Sequence, residues 1–379
     1  MVDYKKAFNR QNHIILITLL GDMGVPGWLL NIVVGFLVER ELILSYRGAK
    51  SGSKDMPGGG PQGTVLGMFL FIILINSVGF QEEDRNMGER MTRAANAHKV
   101  IKQMHAKYVD DLTVAEALNL KDVLVVEREE NLIRPLSYHK RTEHKIKVNC
   151  SQVEHKLADI EDHARQNEMK INQKKTKLML FNTAIKYDFE PQMEVNGEMI
   201  EVVSRIKLLG VIVTDNLKWY ENTEYMTKKA FSRIWIIRRL KNMGASKTTL
   251  VDIYYKQIRS VLEFASVVWT AGLTQDDIYK IERVQKSVCC VIQGSEYRTY
   301  EEALDKLGMK TLQDRRKELA LKFAKKASNH PIHQNWFAKN PAESSTRLKK
   351  PSYKPVYYRT SRFLNSAIPF LTNLLNEEK

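Results

Sequence analysis

The stretch AKYVDDLTVAEA, residues 106–117, places two adjacent carboxylates, Asp110 and Asp111, between the apolar residues Val109 and Leu112. Its alternation of polar and apolar residues predicts a β-hairpin around Asp110. Partly buried like charges are unfavourable unless a cation or a proton neutralises them, and carboxylate oxygens suit a hard cation such as Mg²⁺. The pair is therefore a candidate metal site; the alternative is an exposed turn, the usual setting of an Asp-Asp pair.

A third carboxylate comes near the start of the chain. Asp3 lies in VDYKKAF, residues 2–8, which has the character of a short strand. A set of three carboxylates can hold two metal ions about 4 Å apart, which activates an attacking hydroxyl group and stabilises a leaving oxygen. The competing interpretation is that Asp3 is a frayed surface residue near a terminus.

The charge of the chain indicates what kind of partner it binds. The chain has 379 residues, a formal net charge of +15 and a sequence pI of about 9.5. This basic excess favours nucleic acid first and an anionic membrane surface second. The longest apolar run, MFLFIILIN at residues 68–76, is too short to span a bilayer and is interpreted as a buried core element. With nucleic acid favoured as the polyanionic partner, we expect no membrane partner. Three cysteines, none in a Cys-x-x-Cys pair, indicate an intracellular protein of the nucleus or cytoplasm and argue against a cysteine-based zinc site.

Hydrophobic periodicity predicts a mixed α+β unit followed by a helical unit. Two helices are expected on either side of the turn signal at residues 24–27, and an apolar helix from Thr64 to about Val78. Residues 80–105 are expected to be helical, and residues 118–150 to form a charged surface insertion.

The second half of the chain begins with a helix and short strands. Residues 151–169 are expected to be helical, and residues 170–220 to form short strands with an Asn-Gly turn at Asn196 and Gly197. Helical spacing then continues to about Ala327, and the basic C-terminal residues beyond it are expected to be extended.

Five segments, taken in order, resemble the successive motifs of reverse transcriptases. They are VDYKKAF at 2–8, GGGPQGTVLG at 58–67, YVDD at 108–111, MKINQKKTKLMLF at 169–181 and IKLLGVIVTDNLKW at 206–219. The helical segments that follow, and the ending RFLNSAIPFLTNLLN at 362–376, are similar to the LINE-like retrotransposons, which lack long terminal repeats. The resemblance covers nearly the whole chain. It implies an RNA-directed DNA polymerase, a nucleotidyltransferase that binds an RNA template, a DNA primer and deoxynucleoside triphosphates.

The resemblance also implies a domain order. We expect a reverse-transcriptase palm, an antiparallel sheet with packed helices, followed by a helical thumb-like region. The implied segments are a palm with partial fingers-side helices at 1–183, primer-grip-like strands at 184–220, a helical thumb or connection region at 221–330 and a basic tail at 331–379. The oligomeric state is left open.

Matching the motifs residue by residue implies catalytic roles. The metal-binding aspartates of the family correspond to Asp3, Asp110 and Asp111. The implied cofactor is a pair of Mg²⁺ ions, with Mn²⁺ as an alternative. Lys175 corresponds to the lysine that protonates the departing pyrophosphate or stabilises its charge, although Lys174 and Lys177 lie close enough for the match to slip.

The same matching implies contacts to the nucleotide. Phe8 corresponds to the aromatic steric gate beneath the sugar; its alternative role is that of a core aromatic. Gln62 and Gly63 correspond to the loop beside the incoming nucleotide and the template. The preceding glycines, residues 58–60, are interpreted as a flexible turn, with close approach of their backbone to a substrate as the alternative.

Contacts to the primer and the duplex are implied further along. Leu209 and Gly210 correspond to the primer-grip turn, with an ordinary core hairpin as the alternative. The helical segment TKKAFSRIWIIRRLKNMG at 227–244 corresponds to a thumb face that contacts phosphates; the alternative is an amphipathic helix with a solvated basic side. Its candidate nucleic-acid-binding residues are Lys228, Lys229, Arg233, Arg238, Arg239 and Lys241. The tryptophans are expected to pack rather than to stack on bases: Trp219, Trp235 and Trp269.

The chain departs from the family pattern at its start. Only Met1 and Val2 precede Asp3, where family members carry a fingers region that binds the triphosphate. We therefore expect an N-terminally truncated reverse transcriptase with impaired activity, because metal ligands must be held to within a fraction of an ångström. The alternatives are a catalytically dead remnant that still binds nucleic acid and a host-adopted interaction protein.

Overall fold

The computed structural model describes residues 1–56, 58–61, 63–76, 103–108, 111–116, 146–148, 151–181, 189–331, 333–340, 351–358 and 360–378. These residues form two compact units, one extending to Val203 and the other beginning at Ser204. Among the helices described, none has both the length and the apolar composition that crossing a membrane requires.

Among the described residues of the first unit, four helices supply the core. They are α1 (His13–Asp22), α2 (Gly27–Leu37), α3 (Val65–Asn76) and α4 (Ser151–Gln166), preceded by a 3₁₀ turn at Ala7–Arg10. The side chain of Asn12 accepts hydrogen bonds from the first backbone amides of α1, as an N-cap does. Gly24, at φ 78°, and Pro26 then separate α1 from α2, which confirms the predicted helix–turn–helix. Apolar side chains from the four helices pack together, including Leu16, Leu37, Phe71 and Ile160.

The described strands of the first unit are short and form two-stranded sheets. They are β1 (Glu41–Leu42), β2 (Ser45–Tyr46), β3 (Ala49–Lys50), β4 (Lys54–Asp55), β5 (Gln103–Tyr108), β6 (Asp111–Glu116), β7 (Ile146–Val148), β8 (Lys177–Leu178), β9 (Phe189–Pro191), β10 (Glu194–Val195), β11 (Glu198–Met199) and β12 (Glu201–Val202). The antiparallel pairs are β1–β4, β2–β3, β5–β6 and β10–β11, and the parallel pairs are β7–β9 and β8–β12.

Two predicted turns are confirmed in this unit. Strands β5 and β6 form the hairpin that was expected around Asp110, with Tyr108 paired to Asp111. Asn196 and Gly197 join β10 to β11 with φ angles of 49° and 75°, the positive values of a type I′ turn. The helix expected at 80–105 is wrong for residues 103–105, which belong to β5, and its other residues up to 102 lie outside the described part. The insertion expected at 118–150 also lies outside it, apart from β7.

The second unit is a helical assembly with one hairpin. Its strands are β13 (Arg205–Leu208) and β14 (Val211–Thr214). Its helices are α5 (Tyr220–Phe231), α6 (Ile234–Asn242), α7 (Lys247–Tyr254), α8 (Ser260–Glu263), α9 (Ser266–Trp269), α10 (Gln275–Gln293), α11 (Tyr300–Leu307), α12 (Leu312–Ser328), α13 (Ser361–Leu364) and α14 (Ala367–Glu377). A π-helical turn, Tyr255–Arg259, joins α7 to α8. Trp269, which is fully buried, lies in the core around which most of these helices pack.

The C-terminal residues differ from the extended chain that was expected. Helix α14 packs against α12 and buries Leu371 and Leu375. The side-chain amide of Asn376 bonds to both the backbone N–H and the carbonyl of Tyr353. The basic composition of this region predicted exposure, but the apolar positions within FLNSAIPFLTNLL, residues 363–375, have helical spacing and supply a buried face.

Candidate active site

Backbone hydrogen bonds hold the segment around Asp3 on both of its edges. The Val2 amide donates to the Leu112 carbonyl at 2.7 Å, and the Leu112 amide donates back to Val2 at 3.4 Å. On the other edge, the carbonyl of Asp3 accepts a bond of 2.7 Å from the Asn172 amide. The segment is therefore paired with two neighbours, which argues against the competing interpretation of Asp3 as a frayed surface residue.

Side chains alternate along this segment as they do in a strand. Val2 and Tyr4 are each 4% exposed and contribute to the core of the first unit. Asp3 lies between them and belongs to the opposite face. Because Val2 pairs with Leu112 in antiparallel register, the backbones of Asp3 and Asp111 occupy adjacent positions on neighbouring segments.

Asp3 forms an ion pair with one of the predicted site residues. Its Oδ2 lies 3.7 Å from the Nζ of Lys175; the Asp3 side chain is 15% exposed and that of Lys175 is 69% exposed. Within the described part of the chain, this buried Oδ2 accepts no hydrogen bond. A buried carboxylate oxygen needs a hydrogen-bond donor or a cation. The Lys175 ammonium supplies one cation, and because no hydrogen bond occupies this oxygen among the described residues, it is also open to a metal ion.

A turn that sequence analysis did not single out positions both members of this pair. The amides of Lys175 and Thr176 donate to the Asn172 carbonyl, and Thr176 Oγ1 donates to the same oxygen at 3.0 Å. Thr176 Oγ1 also accepts a long bond of 3.4 Å from the Asp3 amide. The only signal in the sequence was a hydroxyl residue four positions after an asparagine, a common pattern.

The other two predicted metal ligands are described only in part. Asp111 opens β6 and its backbone pairs with Tyr108, but its side chain lies outside the described residues, as does all of Asp110. Among the side chains that are described, no three His, Cys, Asp or Glu residues cluster as a metal site would. The convergence of the three aspartates therefore stays a prediction.

Phe8 packs against the core of the same unit. Its ring stacks on that of the buried Phe71, with centroids 4.2 Å apart and planes inclined by 28°. The Phe8 carbonyl accepts a hydrogen bond of 2.8 Å from the Gly60 amide. Phe8 is only partly buried, so it has a core contact and still exposes part of its surface.

The glycine-rich loop needs its glycines for close packing. A Cβ on Gly59 would lie 3.1 Å from the Cα of Asn9, and a Cβ on Gly60 would overlap the side-chain oxygen of Gln11. The interpretation of residues 58–60 as a merely flexible turn is therefore incomplete, because the backbone of this loop lies directly against the residues that follow Phe8. Gly63 has φ 88°, and Gln62 lies outside the described residues.

The turn predicted to grip a primer belongs to the second unit. Leu209 and Gly210 connect β13 to β14 with φ angles of 47° and 89°, which form a type I′ turn. A Cβ on Gly210 would lie 3.0 Å from the Cε1 atom of Phe264. Leu209 is 45% exposed and Phe264 is 55% exposed, so the tip of the hairpin presents apolar surface.

The six cations predicted to bind nucleic acid divide into two groups. Arg233 donates to the Gln257 carbonyl at 2.5 Å and Lys241 donates to the Val291 carbonyl at 2.7 Å, so both cations tie helices together. Arg238 and Arg239 are exposed and have no acidic partner among the described residues. Two further lysines of the group are also exposed, Lys228 and Lys229, the second with its Nζ 6.0 Å from the ring of Tyr225.

The tryptophans do not all pack as expected. Trp269 is fully buried and Trp219 packs against the core. Trp235 is 56% exposed on α6, where Arg238 and Arg239 follow it by three and four residues. An indole and two guanidinium groups at these spacings lie on neighbouring parts of one helix surface.

Comparison with known protein families agrees with the resemblance to reverse transcriptases. A family model described as reverse transcriptase (RNA-dependent DNA polymerase) matches residues 1–213. A search of curated proteins gave no match. The matched region takes in more than half of the chain and includes the Asp3–Lys175 pair, the glycine-rich loop and the β13–β14 turn. The chain therefore belongs to the reverse transcriptase (RNA-dependent DNA polymerase) family.

Proposed function

We propose that the chain carries the polymerase site of a LINE-like retrotransposon reverse transcriptase, with Asp3, Asp110 and Asp111 as its metal ligands. The observation that carries this proposal is the two-way hydrogen bonding between Val2 and Leu112. Residues that follow such a pair in an antiparallel ladder face each other with Cα atoms about 4.5 Å apart. Asp3 and Asp111 at that separation are close enough to share metal ions.

The donor set suits the metal that the family uses. The three aspartates offer only oxygen ligands, which Mg²⁺ prefers, and the buried Asp3 Oδ2 accepts no hydrogen bond among the described residues, its one cationic neighbour there being the exposed Lys175 at 3.7 Å. Two bound Mg²⁺ ions, or Mn²⁺ in their place, would activate the primer 3′-hydroxyl and neutralise charge on the leaving group. Asp110 and Asp111 would supply the remaining carboxylates.

Lys175 is proposed as the group that serves the leaving oxygen. In the reaction a bond forms between the primer 3′-oxygen and the α-phosphorus of the triphosphate, and the bond from that phosphorus to pyrophosphate breaks. The Lys175 ammonium lies 3.7 Å from Asp3, so it can reach the same substrate. It would donate a proton to the departing oxygen or stabilise its charge.

The remaining matched residues would position the substrates. The exposed part of Phe8 would contact the sugar and exclude a 2′-hydroxyl, while its stacking on Phe71 fixes the ring. Gln62 and Gly63 would lie beside the incoming nucleotide. Leu209 and Gly210 would hold the primer 3′ end, with the exposed apolar tip facing its sugar and base.

The helical unit is proposed as a thumb that binds duplex backbone through α6. Arg238 and Arg239 would contact phosphates without reading sequence. Trp235, exposed beside them, would add apolar or stacking contact. This segment, followed by the helices that end in α14, is the part of the chain that resembles LINE-like elements rather than reverse transcriptases in general.

The first prediction concerns this surface. Each phosphate contact contributes about −0.9 to the slope of log affinity against log salt. The double variant Arg238→Gln/Arg239→Gln is therefore expected to reduce the magnitude of that slope by about 1.8 for a primer–template duplex. Fluorescence anisotropy across a salt series would measure it.

A matched control removes two cations that already have acidic partners. Lys247 and Lys280 form ion pairs with Glu296 and Asp276, at 2.6 Å and 2.7 Å. The variant Lys247→Gln/Lys280→Gln changes net charge equally, and its slope is expected to stay close to that of the parent chain. Equal slope changes in both double variants would contradict a specific role for Arg238 and Arg239.

The proposed activity is tested by primer extension on an RNA template with Mg²⁺. Incorporation that follows the template and stops when the ion is chelated would support the proposal. Tight binding to the primer–template without any incorporation would contradict polymerase activity of this chain and favour the alternative of a nucleic-acid-binding protein. Omitting the template is the necessary control, because it separates directed synthesis from terminal addition.

A further inference from the structure

A pocket lined by basic residues lies beside the Asp3–Lys175 pair. Its volume is about 540 Å³, within the usual range for a small-molecule site of about 300–1,000 Å³. Lys5 borders it from the segment that carries Asp3, and Lys170 and Lys174 border it from the segment after α4. The Lys5 amide bonds to the Lys170 carbonyl at 2.7 Å, so the backbone fixes these two segments side by side.

The charge on the pocket wall is strongly positive. Lys5, Lys170 and Lys174 are exposed, and none has an acidic partner among the described residues. Arg165 also lines the pocket, but it pairs with Asp162 at 2.6 Å. The one carboxylate on the wall, Glu161, already accepts a hydrogen bond from the Asn196 amide. Such a wall favours a small, multiply charged anion.

The position of the pocket in the chain indicates which anion it binds. Lys5 comes two residues after Asp3, and Lys174 immediately precedes Lys175, so a single turn at residues 172–175 separates the pocket from the ion pair. In the proposed reaction, pyrophosphate leaves at that pair. We infer that the pocket is a binding site for inorganic pyrophosphate, which receives the product as it leaves. This inference rests on the proposed polymerase function.

Binding is tested directly with inorganic pyrophosphate by titration calorimetry on the full chain. EDTA is included so that metal-mediated binding at the aspartates does not contribute. A charge-assisted hydrogen bond is worth about tenfold or more in affinity. The variant Lys5→Gln/Lys174→Gln is therefore expected to weaken pyrophosphate binding about 100-fold, with its circular dichroism unchanged because both side chains are exposed.

Two controls locate the ion. The variant Lys50→Gln/Lys54→Gln removes the same charge from β3 and β4, and it is expected to bind pyrophosphate like the parent chain. Asp3→Asn is also expected to retain binding. If Asp3→Asn changed the affinity while Lys5→Gln/Lys174→Gln did not, the ion would belong to the catalytic pair and the inference would fall.

The outcome is independent of whether polymerisation is observed. Primer extension without pyrophosphate binding at this pocket would overturn the inference and leave the proposed function intact. Pyrophosphate binding that needs Lys5 and Lys174 would support the inference, even in a preparation that incorporates no nucleotide. A short oligodeoxynucleotide that binds through these lysines when pyrophosphate does not would show that the pocket contacts nucleic-acid phosphate instead.

Discussion

Replacing Asp3 by asparagine is expected to lower the rate of primer extension about 1,000-fold. The metal ions contribute several kcal/mol of transition-state stabilisation, and each 1.36 kcal/mol corresponds to tenfold in rate. Asparagine keeps the size of the side chain and leaves the backbone bonds from Val2 and Asn172 in place, so the fold should be unaffected. The measurement is single-turnover incorporation with saturating Mg²⁺, together with a thermal melt of each protein.

The control for this variant is Asp22→Asn, an exposed carboxylate at the end of α1. Its rate is expected to equal that of the parent chain. Extension by Asp3→Asn within tenfold of the parent would mean that Asp3 does not bind the catalytic metal. A large loss of thermal stability in Asp3→Asn would instead assign Asp3 a structural role.

Substituting Lys175 tests whether this lysine takes part in the reaction or only pairs with Asp3. If it only paired with Asp3, its removal would matter little, because an ion pair with so exposed a lysine is worth less than about 1 kcal/mol. If it serves the leaving oxygen, Lys175→Gln should slow extension by about 100-fold or more. The neighbouring Lys174→Gln should leave the rate of the chemical step unchanged. That result would show that Lys175, and not Lys174, corresponds to the lysine of the family that serves the leaving group.

The parts of the fold that were predictable from sequence are those that form locally. The turn at Asn196 and Gly197 is determined by its own two residues, since both tolerate the positive φ angles of a type I′ turn. The break between α1 and α2 follows from Gly24 and Pro26 in the same way. The β5–β6 hairpin was predictable from the alternation of polar and apolar residues on either side of Asp110.

Contacts between distant segments were not predictable by the same means. Nothing in VDYKKAF identifies Leu112 and Ile171 as the partners of Val2 and Tyr4. The glycines at 58–60 indicated a turn, but the requirement for close packing came from Asn9 and Gln11, which lie against them and are distant in the sequence. Pairing of this kind depends on the whole arrangement of the unit rather than on a local pattern.

The candidate site shows the same division. Resemblance identified Asp3 and Lys175, which the structure brings together as an ion pair. It also grouped Arg233 and Lys241 with the nucleic-acid-binding cations, although each donates to a carbonyl of another helix. A sequence shows that a helix is basic, whereas the partner of each cation is set by the helices around it.

Because Trp269 is buried and Trp235 is exposed, replacing each by alanine is expected to change the free energy of unfolding by very different amounts. Trp269→Ala is expected to reduce the free energy of unfolding by about 3–5 kcal/mol, the range for removing a large aromatic side chain from a core. Trp269 is fully buried and its indole N–H donates to the Phe264 carbonyl at 3.1 Å, so its loss leaves both a cavity and an unpaired acceptor. Urea unfolding followed by circular dichroism measures the effect.

Trp235→Ala is the matched control, because it removes the same side chain from an exposed position on α6. Its free energy of unfolding should change by less than about 0.5 kcal/mol. Its binding free energy for a primer–template with an unpaired template overhang should weaken by about 1–3 kcal/mol if the indole stacks on an unpaired base. The two variants should therefore show opposite patterns, one losing stability and the other losing binding. Equal stability losses in both would mean that Trp235 packs within the fold, and an unchanged affinity for nucleic acid in Trp235→Ala would remove this residue from the proposed thumb surface.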